Sequence, residues 1–276
     1  MVVKFRALGS LVTTAMLLAS CGGDVDVTLD AGPDGLSSLV GDFLEVGCST
    51  SVVLGLSIEI ANEVSCLDPS ALTSFDASDD ITFSSSAVLP YLSSAGRDDL
   101  EASVLANIET VGEPLVINSA FRTVAQQYLL AEWFARGRCG ITAAAEPGRS
   151  NHESGRAIDI DNYAVWRTAL GAFRWEQTVP GDDVHFDHLP SPDNRGLDVL
   201  AFQTLWNRSV PDDPISEDGL YGPATAERLR ISPADGFGVG PSCGARLHRG
   251  GFLPKGGDRS GVYQRLTQNP VHRCGN

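Results

Sequence analysis

The side chains best suited to metal chemistry lie in two short segments of the chain. His152 and Asp159 belong to the segment Ser150–Asp159, and His185 belongs to the segment Asp182–His188. Two imidazole nitrogens and one carboxylate are typical of a catalytic zinc site, where a fourth position stays open for water. Zinc lowers the pKa of that water, and a nearby carboxylate can accept its proton during attack on a carbonyl carbon. The two segments therefore predict one Zn²⁺ site per chain.

Short strands and helices must bring these two segments together. Alternating residue types predict strands at Ala157–Ile160 and Val184–His188, and in the second strand His185 and Asp187 share one face. A short apolar run predicts a further strand at Leu115–Ile117. Apolar residues at helical spacing predict the helices, which span Gly55–Val64, Asp98–Ile108, Thr123–Arg136 and Tyr163–Phe173. The pattern indicates an α+β protein.

Composition and net charge limit the classes of molecule that the protein is expected to bind. The chain has 276 residues, 42% of them hydrophobic, and a formal net charge of −15. So acidic a protein is not expected to bind nucleic acid or anionic lipid through a basic patch. A peptide or small-molecule substrate is compatible with this charge if the site supplies local positive charge, as a zinc ion and one arginine do. The length predicts one core domain with an appended module, and we expect a monomer.

The first residues predict export and a lipid anchor. Lys4 and Arg6 precede the apolar run Leu11–Ala19, and small residues lead to Cys21, as in a secretory signal peptide. The ending Leu-Ala-Ser-Cys resembles a bacterial lipobox, which implies a signal peptide over residues 1–20 and acylation of Cys21. Residues 21–35 are rich in glycine and aspartate and predict a flexible tether. We expect a lipoprotein of the cell envelope that faces the periplasm, with the outer membrane favoured by the glycine after Cys21.

Three motifs resemble those of the VanY-type zinc peptidases. The segment Ser150–Asp159 has the pattern Ser-x-His-x-x-Gly-x-Ala-x-Asp, and Asp182–Phe186 has the pattern Asp-x-x-His-Phe. The upstream stretch Ser119–Gln127 is similar to the Ser-Gly-Tyr-Arg-Ser…Gln stretch of that group and departs from it at Ala120 and Phe121. The group includes D-alanyl-D-alanine carboxypeptidases, VanX-like dipeptidases and phage L-alanyl-D-glutamate endolysins. The resemblance covers roughly residues 100–190.

The resemblance implies a fold and a set of roles. The fold would be a small antiparallel sheet flanked by helices, as in Hedgehog and D,D-peptidase domains, over residues 36–192. The arginine guanidinium offers paired donors that suit an oxyanion or a substrate carboxylate. The implied roles are zinc ligands at His152, Asp159 and His185, a catalytic base at Asp182, an oxyanion-stabilising or carboxylate-binding group at Arg122, and substrate contacts at Ser150 and Gln127.

Two alternatives stay open in the second segment. His188 competes with His185 as third ligand, although the Asp-x-x-His-Phe frame fits His185 and residues three apart on a strand face opposite sides. Asp183 competes with Asp182 as base, and the three-residue offset of the motif favours Asp182. Both questions depend on which way the side chains point.

The C-terminal third resembles a second family. Residues 196–232 contain Ala-Phe-Gln at Ala201–Gln203 and Asp-Gly-Leu-Tyr-Gly-Pro-Ala-Thr at Asp218–Thr225, similar to a small helical peptidoglycan-binding repeat. Residues 233–276 form a glycine-rich tail in which Cys243 and Cys274 are expected to join each other. Two of Cys48, Cys66 and Cys139 can also pair, without any preference in the sequence.

Together these features predict a zinc peptidase of peptidoglycan stem peptides. Removal of a terminal D-alanine, as by a D,D-carboxypeptidase, is the first expectation. An L,D- or D,D-endopeptidase of the same fold is the close alternative, because the motifs do not define the pocket walls. A rival hypothesis from another class is a catalytically inert lipoprotein that binds the wall through its C-terminal module.

Overall fold

The structure is a computed structural model that describes residues 37–243. The predicted signal peptide (1–20), the predicted tether (21–35) and residues 244–276, which include Cys274, lie outside the described residues. What the sequence predicts for those segments, including acylation of Cys21, stays a prediction.

A five-stranded sheet carries the residues of the candidate site. Its strands, in spatial order, are β2 (Ile81–Phe83), β4 (Leu115–Ser119), β5 (Ala157–Ile160), β7 (His185–His188) and β6 (Trp175–Glu176), while β1 (Thr73–Ser74) and β3 (Tyr91–Leu92) form a separate pair. Strands β4, β5, β7 and β6 are antiparallel neighbours, but β2 and β4 run parallel. The α+β class and the three predicted strands are confirmed.

The expected small antiparallel sheet departs from the prediction at one edge. Helix α2 (Ser94–Val111) connects β2 to β4 in the chain. A helical crossover of this kind returns the chain in the same direction, so the two strands it joins pair in parallel. The sheet is therefore mixed.

Some helices pack against the sheet, and others form a separate helical core. Besides α2, they are α1 (Leu54–Leu67), α3 (Val124–Ala135), α4 (Tyr163–Gly171), α5 (Leu197–Ser209) and α6 (Pro223–Arg230), with short 3₁₀ helices at Val40–Leu44, Thr50–Val53 and Asn151–Ser154. The four predicted helices are confirmed. Helix α3 begins with a reciprocal cap, because Thr123 Oγ1 accepts from Gln126 N and Gln126 Oε1 accepts from Thr123 N.

Two apolar cores are present in the described part of the chain. One lies between the sheet and helices α2 and α4 and includes Ile117, Ile158, Trp166 and Phe186. The other is helical and is built by α1, α3, α5 and α6, with buried residues such as Leu56, Ile60, Trp133, Phe202 and Leu229. The helices of residues 196–232 thus share a core with α1 and α3.

Helix α1 is the centre of that second core. By length and composition alone, Thr50–Leu67 is apolar enough to cross a membrane. Its residues Leu56, Ile60, Ala61 and Val64 are buried within the protein, where they belong to the helical core. A core helix of a folded domain explains this composition.

Two disulfides link distant parts of the chain. Cys48 pairs with Cys139, and Cys66 pairs with Cys243. The expected bond between Cys243 and Cys274 is therefore wrong, because Cys243 is already bonded to the end of α1.

The course of residues 236–242 explains this pairing. Their backbone runs along α1, where the Glu59 carboxylate accepts from Phe237 N at 2.8 Å and from Gly238 N at 2.7 Å. One turn further, Glu63 Oε2 accepts from Ser242 N at 3.0 Å. These two buried or half-buried carboxylates bring the following cysteine beside the last turn of α1, which the linear sequence does not show.

Candidate metal centre

Three side chains converge from three separate elements. His152 lies on the 3₁₀ helix Asn151–Ser154, Asp159 on β5 and His185 on β7, and Asp159 is paired directly with His185 in the antiparallel register. Asp159 Oδ1 lies 3.1 Å from His152 Nε2 and 3.0 Å from His185 Nδ1. The two imidazole nitrogens are 3.1 Å apart. The three predicted ligands therefore meet as a nearly equilateral triangle of lone-pair atoms.

The dimensions of this triangle fit a metal ion. Tetrahedral zinc with bonds of 2.0–2.1 Å has ligand atoms about 3.3 Å apart, so the triangle needs to open by only a few tenths of an ångström. The chemistry of the donor set, two nitrogens and one oxygen, also suits a transition metal. The cluster His152, Asp159 and His185 could hold a metal ion.

Hydrogen bonds on the far side of each ring decide which nitrogen faces the centre. His152 Nδ1 lies 2.8 Å from the carbonyl oxygen of Ala120, to which it can only donate, so the lone pair is on Nε2. His185 is reversed, since its Nε2 lies 3.1 Å from Asp187 Oδ1 and its Nδ1 faces the centre. The two histidines thus offer opposite nitrogens to one point.

The short helix that carries His152 is shaped by its two ends. Ser150 Oγ accepts from His152 N at 3.3 Å at the start of the helix. Gly155 ends it with φ of +64°, a left-handed conformation that favours glycine. A Cβ at this position would also lie 2.7 Å from Leu72 Cδ2. The serine and the glycine of the motif therefore fix the turn that aims the histidine.

Burial and neighbouring charges shift the pKa values of the three side chains in different directions. Burial lowers the pKa of His152, which keeps its imidazole neutral. Burial opposes ionisation of Asp159, but its neighbours His152, His185 and Arg122 outweigh it and hold the pKa well below the ordinary value. For His185, burial lowers the pKa, but hydrogen bonds that the ring donates to the carboxylates of Asp159 and Asp187 outweigh it and raise the pKa to about 9. Metal binding must therefore displace a proton from His185 at neutral pH.

Arg122 contacts the cluster directly. Its Nη2 donates to Asp159 Oδ2 at 3.0 Å and to Ser119 Oγ at 3.1 Å, and its Nη1 donates to Gln127 Oε1 at 3.0 Å. A guanidinium has five N–H donors, so two have no acceptor among the described residues. Arg122 both holds Asp159 in place and keeps donors for a further anion.

Ser150 and Gln127 are engaged within the protein. Ser150 caps the helix of His152, as described above. Gln127 accepts from Arg122, and its Nε2 donates to the carbonyl oxygen of Ala145 at 2.7 Å. Both residues are buried. Their visible role is support of the site, and their predicted contact with substrate stays a prediction.

The two candidate bases have different surroundings. Asp182 is half-buried in the loop before β7, where its carbonyl oxygen accepts from His185 N at 3.3 Å. Within residues 37–243, its carboxylate forms no hydrogen bond or ion pair. The Asp183 carboxylate instead lies 3.6 Å from Arg167 Nη2 of helix α4, on the surface. This difference favours Asp182, although its carboxylate is not in contact with the three clustered side chains.

His188 belongs to another network. It is fully buried, with Nε2 2.8 Å from Asp99 Oδ2 and Nδ1 2.6 Å from Ser191 Oγ. Its ring also packs against Trp175, with centroids 5.1 Å apart. Both ring nitrogens of His188 therefore have hydrogen-bond partners, and the ring lies on the face of β7 opposite to His185. Among the two histidines of this strand, His185 is therefore the one that reaches the cluster.

A buried pair of acids was not anticipated from the sequence. Glu153 accepts from Gly148 N and Ser150 N at 2.7 and 2.9 Å, and it neighbours Asp198 of helix α5. Burial raises the pKa of Glu153 to about 7 and that of Asp198 well above its ordinary value. The pair connects helix α5 to the helix that carries His152. The only sequence signal was the acidic residue next to His152, whose distant partner no pattern identified.

Comparison with known proteins gives no family for the chain. It matches no model of a known protein family and no curated protein. Its function must therefore be inferred from the geometry of the site and from the motifs that the site residues form.

Proposed function

We propose that the protein is a zinc-dependent peptidase that cleaves peptidoglycan stem peptides. The reaction we propose for it is removal of a terminal D-alanine. The convergence of His152, Asp159 and His185 carries this proposal. These three side chains come from separate elements, and they are the three that the VanY-type motifs single out. A chance resemblance gives no reason for the matching residues to meet at one point.

Zinc is the metal that suits this donor set best. Two imidazole nitrogens and one carboxylate oxygen, with room for a further ligand, are the pattern of catalytic zinc sites. Bound there, the ion would polarise a peptide carbonyl and lower the pKa of water. The protein contributes the fixed ring orientations and the ionised Asp159.

Two further residues supply the remaining chemistry. Asp182 would accept the proton of the attacking water, because it lies in the loop before β7 and its carboxylate has no hydrogen-bond or ion-pair partner among residues 37–243. The free donors of Arg122 stabilise the negative charge that develops on the carbonyl oxygen, or bind the terminal carboxylate of the substrate. If Arg122 stabilises the oxyanion, the enzyme could be a carboxypeptidase or an endopeptidase. If Arg122 binds the terminal carboxylate, only a carboxypeptidase is consistent with that role.

The proposed location is the bacterial cell envelope. Two disulfides in the described residues are typical of an oxidising compartment. The lipobox-like sequence that ends at Cys21 is in accord with such a compartment. We therefore place the enzyme on the periplasmic face of a membrane, held by a lipid anchor and acting on the adjacent wall as a monomer.

The C-terminal helices are proposed to support the enzyme rather than to bind the wall through their motif. Gln203 Nε2 donates to Asp218 Oδ1 at 3.0 Å and to Thr225 Oγ1 at 3.2 Å, and its Oε1 accepts from Gly219 N at 2.9 Å. The conspicuous polar residues of the motif thus satisfy one another. Helix α5 also buries its apolar residues in the core shared with α1.

Digestion of purified muropeptides tests the proposal. Pentapeptide and cross-linked muropeptides are incubated with the zinc-loaded protein and analysed by mass spectrometry. We expect loss of one D-alanine per pentapeptide, abolished by chelation and by His152→Ala. Cleavage at an internal bond would identify an endopeptidase instead. Intact muropeptides in zinc-replete buffer would contradict a peptidase and favour the inert wall-binding hypothesis.

A further inference from the structure

Asp187 is a buried carboxylate beside His185, one of the proposed metal ligands. The proposed chemistry does not use Asp187. It is 1% exposed and follows His185 by two residues on β7, on the same face of the sheet. Its Oδ1 lies 3.1 Å from His185 Nε2, the ring nitrogen that points away from the cluster. Burial of an ionised carboxylate is costly unless hydrogen bonds compensate it, so the partners of Asp187 indicate what it does in the fold.

Two side chains hold this carboxylate in place. Asn151 Nδ2 donates to Asp187 Oδ1 at 2.8 Å, and Thr178 Oγ1 donates to Asp187 Oδ2. Asn151 is itself fixed, because its Oδ1 accepts from Arg156 Nε at 3.0 Å and from Arg156 Nη2 at 2.8 Å. A chain of contacts therefore runs from Arg156 through Asn151 and Asp187 to His185.

The chain of contacts uses positions that the motif leaves open. Asn151 and Arg156 occupy two unspecified positions of Ser-x-His-x-x-Gly-x-Ala-x-Asp. Thr178 belongs to the loop that also contains Asp182. The same carboxylate thus contacts the side chain of His185 and the loop of the proposed base.

We propose that Asp187 is a positioning residue that fixes the orientation and tautomer of His185, so that Nδ1 is directed at the metal. A carboxylate that accepts the Nε2 proton leaves the lone pair on Nδ1 and strengthens it as a donor. The backbone carbonyl of Ala120 performs the corresponding task for His152 without a charge. The inference rests on the proposed function only in requiring that the cluster binds a metal.

Zinc affinity, measured by competition with a chelating dye, tests this role. Removing such a partner typically weakens binding 10- to 100-fold, which we expect for Asp187→Ala. Asp187→Asn keeps an oxygen acceptor without the charge and should recover part of the loss. Asp161→Ala is the matched control, because Asp161 is an exposed carboxylate that follows β5 and contacts none of the clustered side chains among the described residues. Its zinc affinity should equal that of the wild type.

The outcomes separate this inference from the proposed function. A wild-type protein that binds no zinc contradicts the proposed function itself. Wild-type affinity in both Asp187 variants overturns the positioning role alone. If Asp187→Ala does not fold, Asp187→Asn decides by the same measurement. Nitrogen-15 NMR of the zinc-loaded wild type should also show a protonated Nε2 on His185, and a signal from protonated Nδ1 would contradict the role directly.

Discussion

Strand β7 presents two histidines to opposite faces of the sheet, and their surroundings differ. On one face, His185 Nδ1 meets His152 Nε2 and Asp159 Oδ1, three lone-pair atoms within about 3 Å of one another. On the other face, both nitrogens of His188 are taken up by Asp99 and Ser191. The first arrangement leaves acceptors facing acceptors, which a cation or a proton must bridge. The second is complete within the protein.

The difference indicates which surroundings suit a histidine for metal binding and which suit a structural role. Both histidines are buried and both contact an aspartate, so neither burial nor a carboxylate neighbour separates them. What separates them is whether several lone pairs converge on one point. The Gln203 network gives the same lesson for the C-terminal motif, where donors and acceptors are matched.

The strongest test of the comparison removes one histidine from each face. His152→Ala takes away a proposed ligand, and a catalytic ion would supply several kcal/mol of transition-state stabilisation, so kcat/KM should fall on the order of 10³-fold. His188→Gln, on the opposite face from the cluster, should retain zinc binding and most of the activity. Zinc content by mass spectrometry and muropeptide kinetics provide the measurements. Equal loss in both variants would remove the distinction between the faces.

The second test separates the two neighbouring aspartates. A general base typically contributes 10²- to 10⁴-fold to the rate, so Asp182→Asn should lower kcat by about that factor while zinc stays bound. Asp183→Asn is the matched control and should leave kcat unchanged, because Asp183 pairs with Arg167 on the surface. A larger loss from the Asp183 variant would reverse the assignment of the base.

The third test uses the pH dependence of zinc affinity. In the metal-free protein the pKa of His185 is raised to about 9, whereas burial lowers that of His152. Below pH 9 one proton must leave His185 for the metal to bind, so affinity should fall about tenfold per pH unit as the pH decreases from 9 towards 7. Calorimetry in buffers of different ionisation enthalpy should detect release of about one proton at pH 7.5. No proton release there would contradict the proposed state of His185.

The smallest effect is expected from the network of His188. Asp99→Asn removes the charge that His188 and Arg174 share, and loss of a charge-assisted hydrogen bond costs about 1–3 kcal/mol of unfolding free energy. Zinc affinity should change less than twofold. Urea denaturation and dye competition measure the two quantities independently. A variant of normal stability with weakened zinc binding would show that the two faces are coupled.

The elements of the site were largely predictable from the sequence. Periodicity identified the strands β5 and β7, which bury apolar residues in the sheet core, and the helix α3, which buries its apolar residues in the helical core. Motif spacing selected His152, Asp159 and His185, and strand alternation separated His185 from His188. These are local properties, which a sequence displays directly.

The remaining features depend on contacts between distant segments. Glu153 and Asp198 meet only because helix α5 packs beside the 3₁₀ helix, and Cys243 meets Cys66 only because Glu59 and Glu63 guide the chain along α1. The parallel pairing of β2 likewise follows from the crossover of α2. No local pattern contains such long-range partners.

Reconstitution with zinc tests the central claim most directly. The protein is stripped with a chelator, dialysed, and titrated with zinc while D-alanine release from a pentapeptide muropeptide is measured. We expect no D-alanine release from the stripped protein, and a linear recovery that saturates at one zinc per chain and is absent in His152→Ala. Release that is independent of zinc, or no release at any zinc concentration, would contradict it.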